Sequence, residues 1–249
     1  MKSLLLLFFL ALSVIGYSQP SFVDYQKTYP RVASAIMLKE DTLKKQFLSK
    51  GLEWPVKQMY IRSFKYDSEL EVWVRSNIHD SYKLFKTYKV CALAGGMGPK
   101  RIEGDYQVPE GFYYINEFKP NSNYHLALGL NYPNASDRII SDALRPGNNI
   151  YIHGNCVSTG CIAISDAPIE ELYVMTSLAK ETGQDFITVH VFPVKYSNKK
   201  SFEYLAFATK ENKRLQKFAI TLKEAFDYFE EKKKLTVIIV IKFGNENIA

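Results

Sequence analysis

Between residues 34 and 50 the apolar side chains Ile36, Met37, Leu43, Phe47 and Leu48 recur at roughly helical spacing, and Gly51 follows where a C-cap glycine belongs. The pattern then turns to strands. Gln58 to Phe64 and Glu69 to Val74 read as a pair joined by the turn Lys65-Tyr66-Asp67-Ser68. Tyr82 to Leu93 is a further strand region. Pro109-Glu110-Gly111 marks a turn before the strand Phe112 to Ile115, and Tyr124 to Leu130 alternates as another. Ile150 to His153 and Cys161 to Ile164 are short apolar, β-like runs. Asp166 suits the N-cap of a helix that has Pro168 near its first turn and reaches Gly183. Asp185 to Val194 reads as a strand, 213–231 as an amphipathic helix and Leu235 to Phe243 as a last strand; 195–212 is ambiguous. This order predicts an α+β fold with an antiparallel-rich sheet or sandwich core and flanking helices.

The first 18 residues follow a different rule. Met1-Lys2-Ser3 precedes the apolar run Leu4 to Ile15, and small residues stand before Gln19. That is the layout of a secretory signal peptide, 1–18, with an uncleaved anchor as the alternative. No cysteine follows the run, which argues against a lipoprotein anchor, and no later segment is apolar enough to span a membrane. The expectation is an exported, soluble protein of a bacterial periplasm or cell envelope, with no transmembrane segment after signal cleavage. The remainder divides into an N-terminal helical segment, 19–54, a core domain, 55–195, and a helix–strand extension packed on the core, 196–249.

Composition adds little beyond a packed core: 47% of residues are hydrophobic and 17 are tyrosines. The formal charge of +6 is dispersed apart from Lys232-Lys233-Lys234. Such an excess suits an anionic polymer such as a cell wall but identifies no partner. No zinc finger, RNP-like motif or basic helix points to nucleic acid. Gly95-Gly96-Met97-Gly98-Pro99-Lys100-Arg101 lacks the helix-opening Gly-Lys-Ser/Thr of a phosphate loop.

The chemistry is concentrated in His153-Gly154-Asn155-Cys156-Val157-Ser158-Thr159-Gly160-Cys161. A cysteine nucleophile needs a base and backbone donors for an oxyanion, and this stretch holds both. Fully extended, it would separate His153 and Cys161 by roughly 26 Å, so the loop must fold back. Gly154 and Gly160 favour that reversal because glycine accepts φ > 0. Cys161 is the candidate free thiol among three cysteines. A Cys91–Cys156 bridge is open, but the run Tyr88 to Leu93 favours Cys91 as a small buried hydrophobe.

With those residues in place, the chain resembles the L,D-transpeptidase catalytic domain (YkuD-type) family, and within it the YafK-like murein branch. The family signature, His-Gly followed by Ser/Thr-His-Gly-Cys, has its counterparts in His153-Gly154 and Ser158-Thr159-Gly160-Cys161. Gly98-Pro99-Lys100-Arg101, Glu103-Gly104-Asp105, Pro109-Glu110-Gly111 and Asn131-Tyr132-Pro133-Asn134 resemble that branch as well. The likeness covers roughly residues 55–195. It departs from the common form in two ways: Thr159 replaces a histidine, and the His153–Cys161 spacing is short. The resemblance implies an exported enzyme of cell-wall organisation and cell shape. Its Cys161 thiolate would attack the amide after the L-centre of a peptidoglycan stem tetrapeptide, releasing D-alanine through an acyl-enzyme. The acceptor would be an amine of another stem peptide or of a wall-attached protein, or else water.

In that scheme His153 lowers the Cys161 pKa by ion pairing and returns the proton to the leaving amine. The N–H groups of Gly160 and Cys161 form the oxyanion hole, and Ser158, Thr159 and Gly154 orient His153 or line the pocket. Lys100 and Arg101 are candidate carboxylate contacts, with a solvated loop as the equal alternative. His125 is a candidate substrate contact or auxiliary base, with a structural histidine the favoured reading. No residue pair shows a zinc spacing, so neither a metal nor a cofactor is expected. Two alternatives to the transpeptidase stand: an L,D-carboxypeptidase or amide hydrolase on the wall, and a non-catalytic wall-binding module.

Overall fold

The computed structural model describes residues 20–240 and 246–248; the expected signal peptide and part of the last expected strand lie outside them. The N-terminal segment forms α1 (Phe22–Lys27) and α2 (Pro30–Ser49). Helix α2 begins earlier than its periodicity predicts, because Pro30 supplies a preset φ at the first turn. It ends as predicted: Gly51 takes φ +63°, its N–H donates to the Leu48 carbonyl, and the Leu52 N–H donates to Phe47.

Strands β1 (Gln58–Phe64), β2 (Glu69–Arg75) and β3 (Lys83–Lys89) form an antiparallel meander. They are followed by β4 (Gly111–Ser122), β5 (His125–Leu130), α3 (Ala135–Ile140), β6 (Tyr151–His153), β7 (Ile162–Ala163), α4 (Asp166–Glu181) and β8 (Ile187–Phe192). Helices α5 (Lys199–Thr209) and α6 (Lys213–Lys232) come next. The last pair, β9 (Ile238–Val240) and β10 (Glu246–Ile248), forms a separate ribbon.

The main sheet has eight strands in the order β3-β2-β1-β8-β4-β5-β6-β7. The α+β class holds. The sheet is mixed, however, not antiparallel-rich, because β1–β8 and β6–β7 run parallel. Each parallel joint follows from the chain between its strands, the short stretch 154–161 for β6–β7 and much of the domain for β1–β8.

The sheet curls until its ends meet. Past β3, the Cys91 N–H donates to the Ala163 carbonyl at 2.8 Å and the Ala163 N–H donates to Ala92 at 3.3 Å, bridging β7. Cys91 also forms a disulfide with Cys156, closing 65 residues of chain. The preferred reading of Cys91 as a buried hydrophobe is therefore corrected. Its run is apolar, but the curl brings it against the 153–161 loop, a proximity invisible along the sequence.

Strands β1 and β8 are buried on both faces. Met59 and Ile61, with Ile187, Val189 and Val191, enter a core shared with α2 and α4. Phe64 and Phe192 point the other way, into a second core with Leu205 of α5 and Leu222 and Phe226 of α6. The same helix pair covers Arg62. That guanidinium is buried, bonds Glu71 and Glu230, and lies within 5.4 Å of four ring centroids, those of Phe64, Trp73, Phe226 and Phe229. On β5, Leu126, Leu128 and Leu130 join the first core. The small residues Ala127 and Gly129 occupy the opposite face, and no residue of β5 or β6 enters the α5–α6 core. His153 and Cys161 lie at that half of the sheet, which helices α5 and α6 do not cover.

Candidate active site

Across the uncovered face the register sets two rows. Glu117 of β4, Gly129 of β5 and Tyr151 of β6 are successive partners; so are Lys119, Ala127 and His153. The parallel β6–β7 pairing sets His153 beside Ala163 and Ile152 beside Ile162, so Cys161 falls at the end of the Tyr151 row. The loop does fold back: Cys161 stands just before β7, which pairs with the strand that carries His153.

Cys161 is the free cysteine and is half-buried. Its thiol donates to the Asn149 carbonyl at 3.7 Å. Burial pushes the thiol pKa up, against a backbone hydrogen bond from Tyr151 and the charges of Lys100 and Lys119. His153 is 1% exposed and lies under the Tyr124 ring, with centroids 4.7 Å apart. Its Nδ1 bonds the Gly154 carbonyl. A carbonyl only accepts, so Nδ1 carries the hydrogen and Nε2 is left as the acceptor. Burial lowers the His153 pKa, partly offset by that carbonyl. Burial drives both groups toward neutrality, and each has another polar partner.

Gly160 takes φ +140°, as the reversal demands, and a Cβ there would stand 3.2 Å from the Gln107 carbonyl. Gly154 serves for a different reason than predicted. Its φ is not positive; instead a Cβ would meet Asp166 Oδ1 at 2.6 Å and the Tyr124 carbonyl at 2.9 Å. The left-handed residue is its neighbour Asn155, at φ +60°. Ser158 does not contact His153. Its hydroxyl donates to the Cys161 carbonyl at 2.7 Å and accepts the Gly160 N–H at 3.1 Å, locking the turn before the nucleophile. That second bond engages the Gly160 N–H, one of the two donors expected in the oxyanion hole. Thr159 is exposed.

Lys100, expected to meet a substrate carboxylate, is 5% exposed; its Nζ donates to Asp105 and to the Ile102 carbonyl. Arg101 bonds Asp137 at 3.1 Å, and Asp137 caps α3 through Asn134. Both cations therefore hold their own loop. His125 bonds Glu170 of α4 at 2.8 Å, and Glu170 also pairs with Lys39. The structural reading of His125 fits this arrangement. Among the described residues, no group of three or more His, Cys, Asp or Glu side chains converges as a metal site would.

Three contributors were missed. Asp166 was read as an N-cap, but Ser165 holds that position and Asp166 Oδ1 accepts the Asn155 N–H at 2.7 Å. Tyr124 was read as a plain strand residue. Lys119 lies on a strand extension whose polarity hid it. Only the N-cap reading carried a usable signal, since an acidic residue at a helix start often faces a loop.

Residues 72–191 match the family model for the L,D-transpeptidase catalytic domain. The YafK protein of Escherichia coli (strain K12), provisionally named an L,D-transpeptidase, is 34% identical over 187 residues, covering 74% of this chain and 71% of that protein. Among solved structures, the helical cell shape determining protein Pgp2 of Campylobacter jejuni is 20% identical, with a TM-score of 0.43 and coverage of 79% of both chains. Bd1075 of Bdellovibrio bacteriovorus has a TM-score of 0.39 at 20% identity, covering 62% of this chain and 56% of that one.

Proposed function

The chain belongs to the L,D-transpeptidase catalytic domain family, and from that premise we propose that it is an exported cysteine enzyme that remodels peptidoglycan through stem-peptide acyl transfer. The observation that carries this reading is the pairing of β6 with β7. Ala163 lies beside His153 and the free Cys161 stands just before β7, while the His153 imidazole keeps Nε2 as an acceptor; this supports a thiol–imidazole couple.

The mechanism begins from a neutral pair. Rotation of the Cys161 side chain away from the Asn149 carbonyl turns the thiol toward the imidazole. Sγ attacks the carbonyl carbon of the amide that follows the L-centre as its proton passes to His153 Nε2. The Cys161 N–H stabilises the oxyanion. Collapse breaks the C–N bond, the imidazolium protonates the leaving D-alanine amine, and a thioester remains. An amine or water then attacks the thioester, giving its proton to His153, and the thiol is restored. Tyr124 over the ring and Gly154 at Nδ1 hold the imidazole in its tautomer throughout. An oxidising envelope compartment accords with the Cys91–Cys156 disulfide.

Intact-mass analysis of stem tetrapeptide incubated with residues 19–249, with and without an amine acceptor, tests this. A cross-linked product formed by the wild type and absent with Cys161→Ala supports transpeptidation. Shortened peptide alone identifies the hydrolase. Unaltered peptide together with retained wall binding would identify a binding module and overturn the enzyme.

A further inference from the structure

Two lysines act on Cys161 electrostatically, Lys100 and Lys119. They are not equivalent. Lys100 is buried and committed to Asp105. Lys119 stands half-exposed on the uncovered face, in the row next to that of Cys161. Its Nζ donates to the Tyr151 hydroxyl at 3.2 Å and sits 4.7 Å from that ring's centroid. The Tyr151 hydroxyl donates in turn to Glu117 at 2.9 Å. Lys119 is thus braced from one side only, and an ammonium has three donors to place. Between this group and the loop lie the small, buried residues Ala127 and Gly129. Tyr151 also hydrogen-bonds the nucleophile through its backbone, so the brace and the thiol share one residue.

We propose that Lys119, held by Tyr151 and Glu117, binds the free α-carboxylate of the peptide that reacts at Cys161. This rests on the acyl-transfer reading and deepens it by assigning the substrate's anionic terminus to β4. The assignment moves the carboxylate contact from Lys100 and Arg101, which the fold consumes, to a cation with donors left to give. Lys119 is then a specificity-determining residue: it selects a ligand that ends in a carboxylate one residue or so beyond the reacting carbonyl.

The test separates binding from turnover. Calorimetric titration of the Cys161→Ala protein with stem tetrapeptide and with its C-terminal amide measures the carboxylate's contribution, and Lys119→Met in the same background removes its partner. The acid is expected to bind about ten- to a hundred-fold tighter than the amide, as a charge-assisted hydrogen bond implies, and Lys119→Met is expected to erase that ratio while leaving amide binding unchanged. Equal binding of acid and amide overturns the proposal, as does a preference that survives in Lys119→Met or a failure to bind either. Turnover by the wild-type protein, measured in parallel, shows whether the acyl-transfer reading stands when the carboxylate assignment falls.

Discussion

Asp166 opens helix α4, yet its Oδ1 accepts the backbone N–H of Asn155, 11 residues earlier, at 2.7 Å. A side chain anchored on a core helix therefore fixes the stretch that leaves His153. A hydrogen bond to a charged group is worth about 1.5–3 kcal/mol. Asp166→Ala is expected to lower kcat/KM by about ten- to a hundred-fold. Asp166→Asn, which keeps an acceptor, should recover most of that. Steady-state kinetics on both variants checks this; wild-type rates in Asp166→Ala would mean that the loop is held elsewhere.

Gly154 tests the same corner by crowding it. A methyl group there would lie under 3.0 Å from both Asp166 Oδ1 and the Tyr124 carbonyl, and one of these is backbone. Gly154→Ala is expected to cost about 1–3 kcal/mol, the range for overpacking, read as a lower midpoint in urea. Gly104→Ala is a poor control because its φ is +76°, whereas Gly96 has open space and is absent from the positive-φ positions, so Gly96→Ala should be silent.

The resting protonation of the pair has a kinetic signature. Burial raises the Cys161 thiol pKa and lowers that of His153. At neutral pH both are uncharged, so the thiolate fraction is small. Alkylation of Cys161 by iodoacetamide should rise with pH beyond 9, with no plateau at neutral pH. Enzymatic turnover should instead lose its base as His153 protonates, below 6.5. A flat alkylation rate from pH 6 upward would show a standing ion pair and refute this account.

Stability should carry a separate acid limb from His190. This side chain is buried among Tyr60, Phe112 and Phe192, bonds the Tyr60 hydroxyl at 2.8 Å, and has its pKa driven by burial and by Arg62 down to about 3. The folded value lies below the unfolded one, so the contribution is complete above about 6.5 and is lost as pH falls from there toward 3. The slope reaches about 1.4 kcal/mol per pH unit in that window. Urea midpoints of wild type and His190→Gln at pH 7 and pH 5 should converge at the lower pH; a constant gap would place the acid sensitivity elsewhere.

Most strands and the long helices were legible because their signals are local. The turn Lys65-Tyr66-Asp67-Ser68 marks the pair β1 and β2, Pro109-Glu110-Gly111 marks the entry to β4, and Gly51 ends α2. Helix α3 was missed because it is shorter than two turns and is built on a reciprocal cap between Asn134 and Asp137, next to a stretch that reads as a turn. Of the candidate site, the return of the chain from His153 to Cys161 was legible, since a short loop joins β6 to β7. The disulfide, the brace on Asn155 and the ring over His153 were not. Each joins residues brought together by the curl of the sheet, and sequence spacing carries no trace of that. The inward turn of Lys100 belongs to the same class: nothing in Gly98-Pro99-Lys100-Arg101 shows which way its cation faces.

The bridge between Ala92 and Ala163 joins the chain leaving one edge of the sheet to the strand at the other. The Cys91–Cys156 disulfide ties the same seam covalently, so the two edges hold each other through backbone and through a covalent link at once. Reduction of that bond is expected to loosen the closure of the sheet before it loosens any single strand pair.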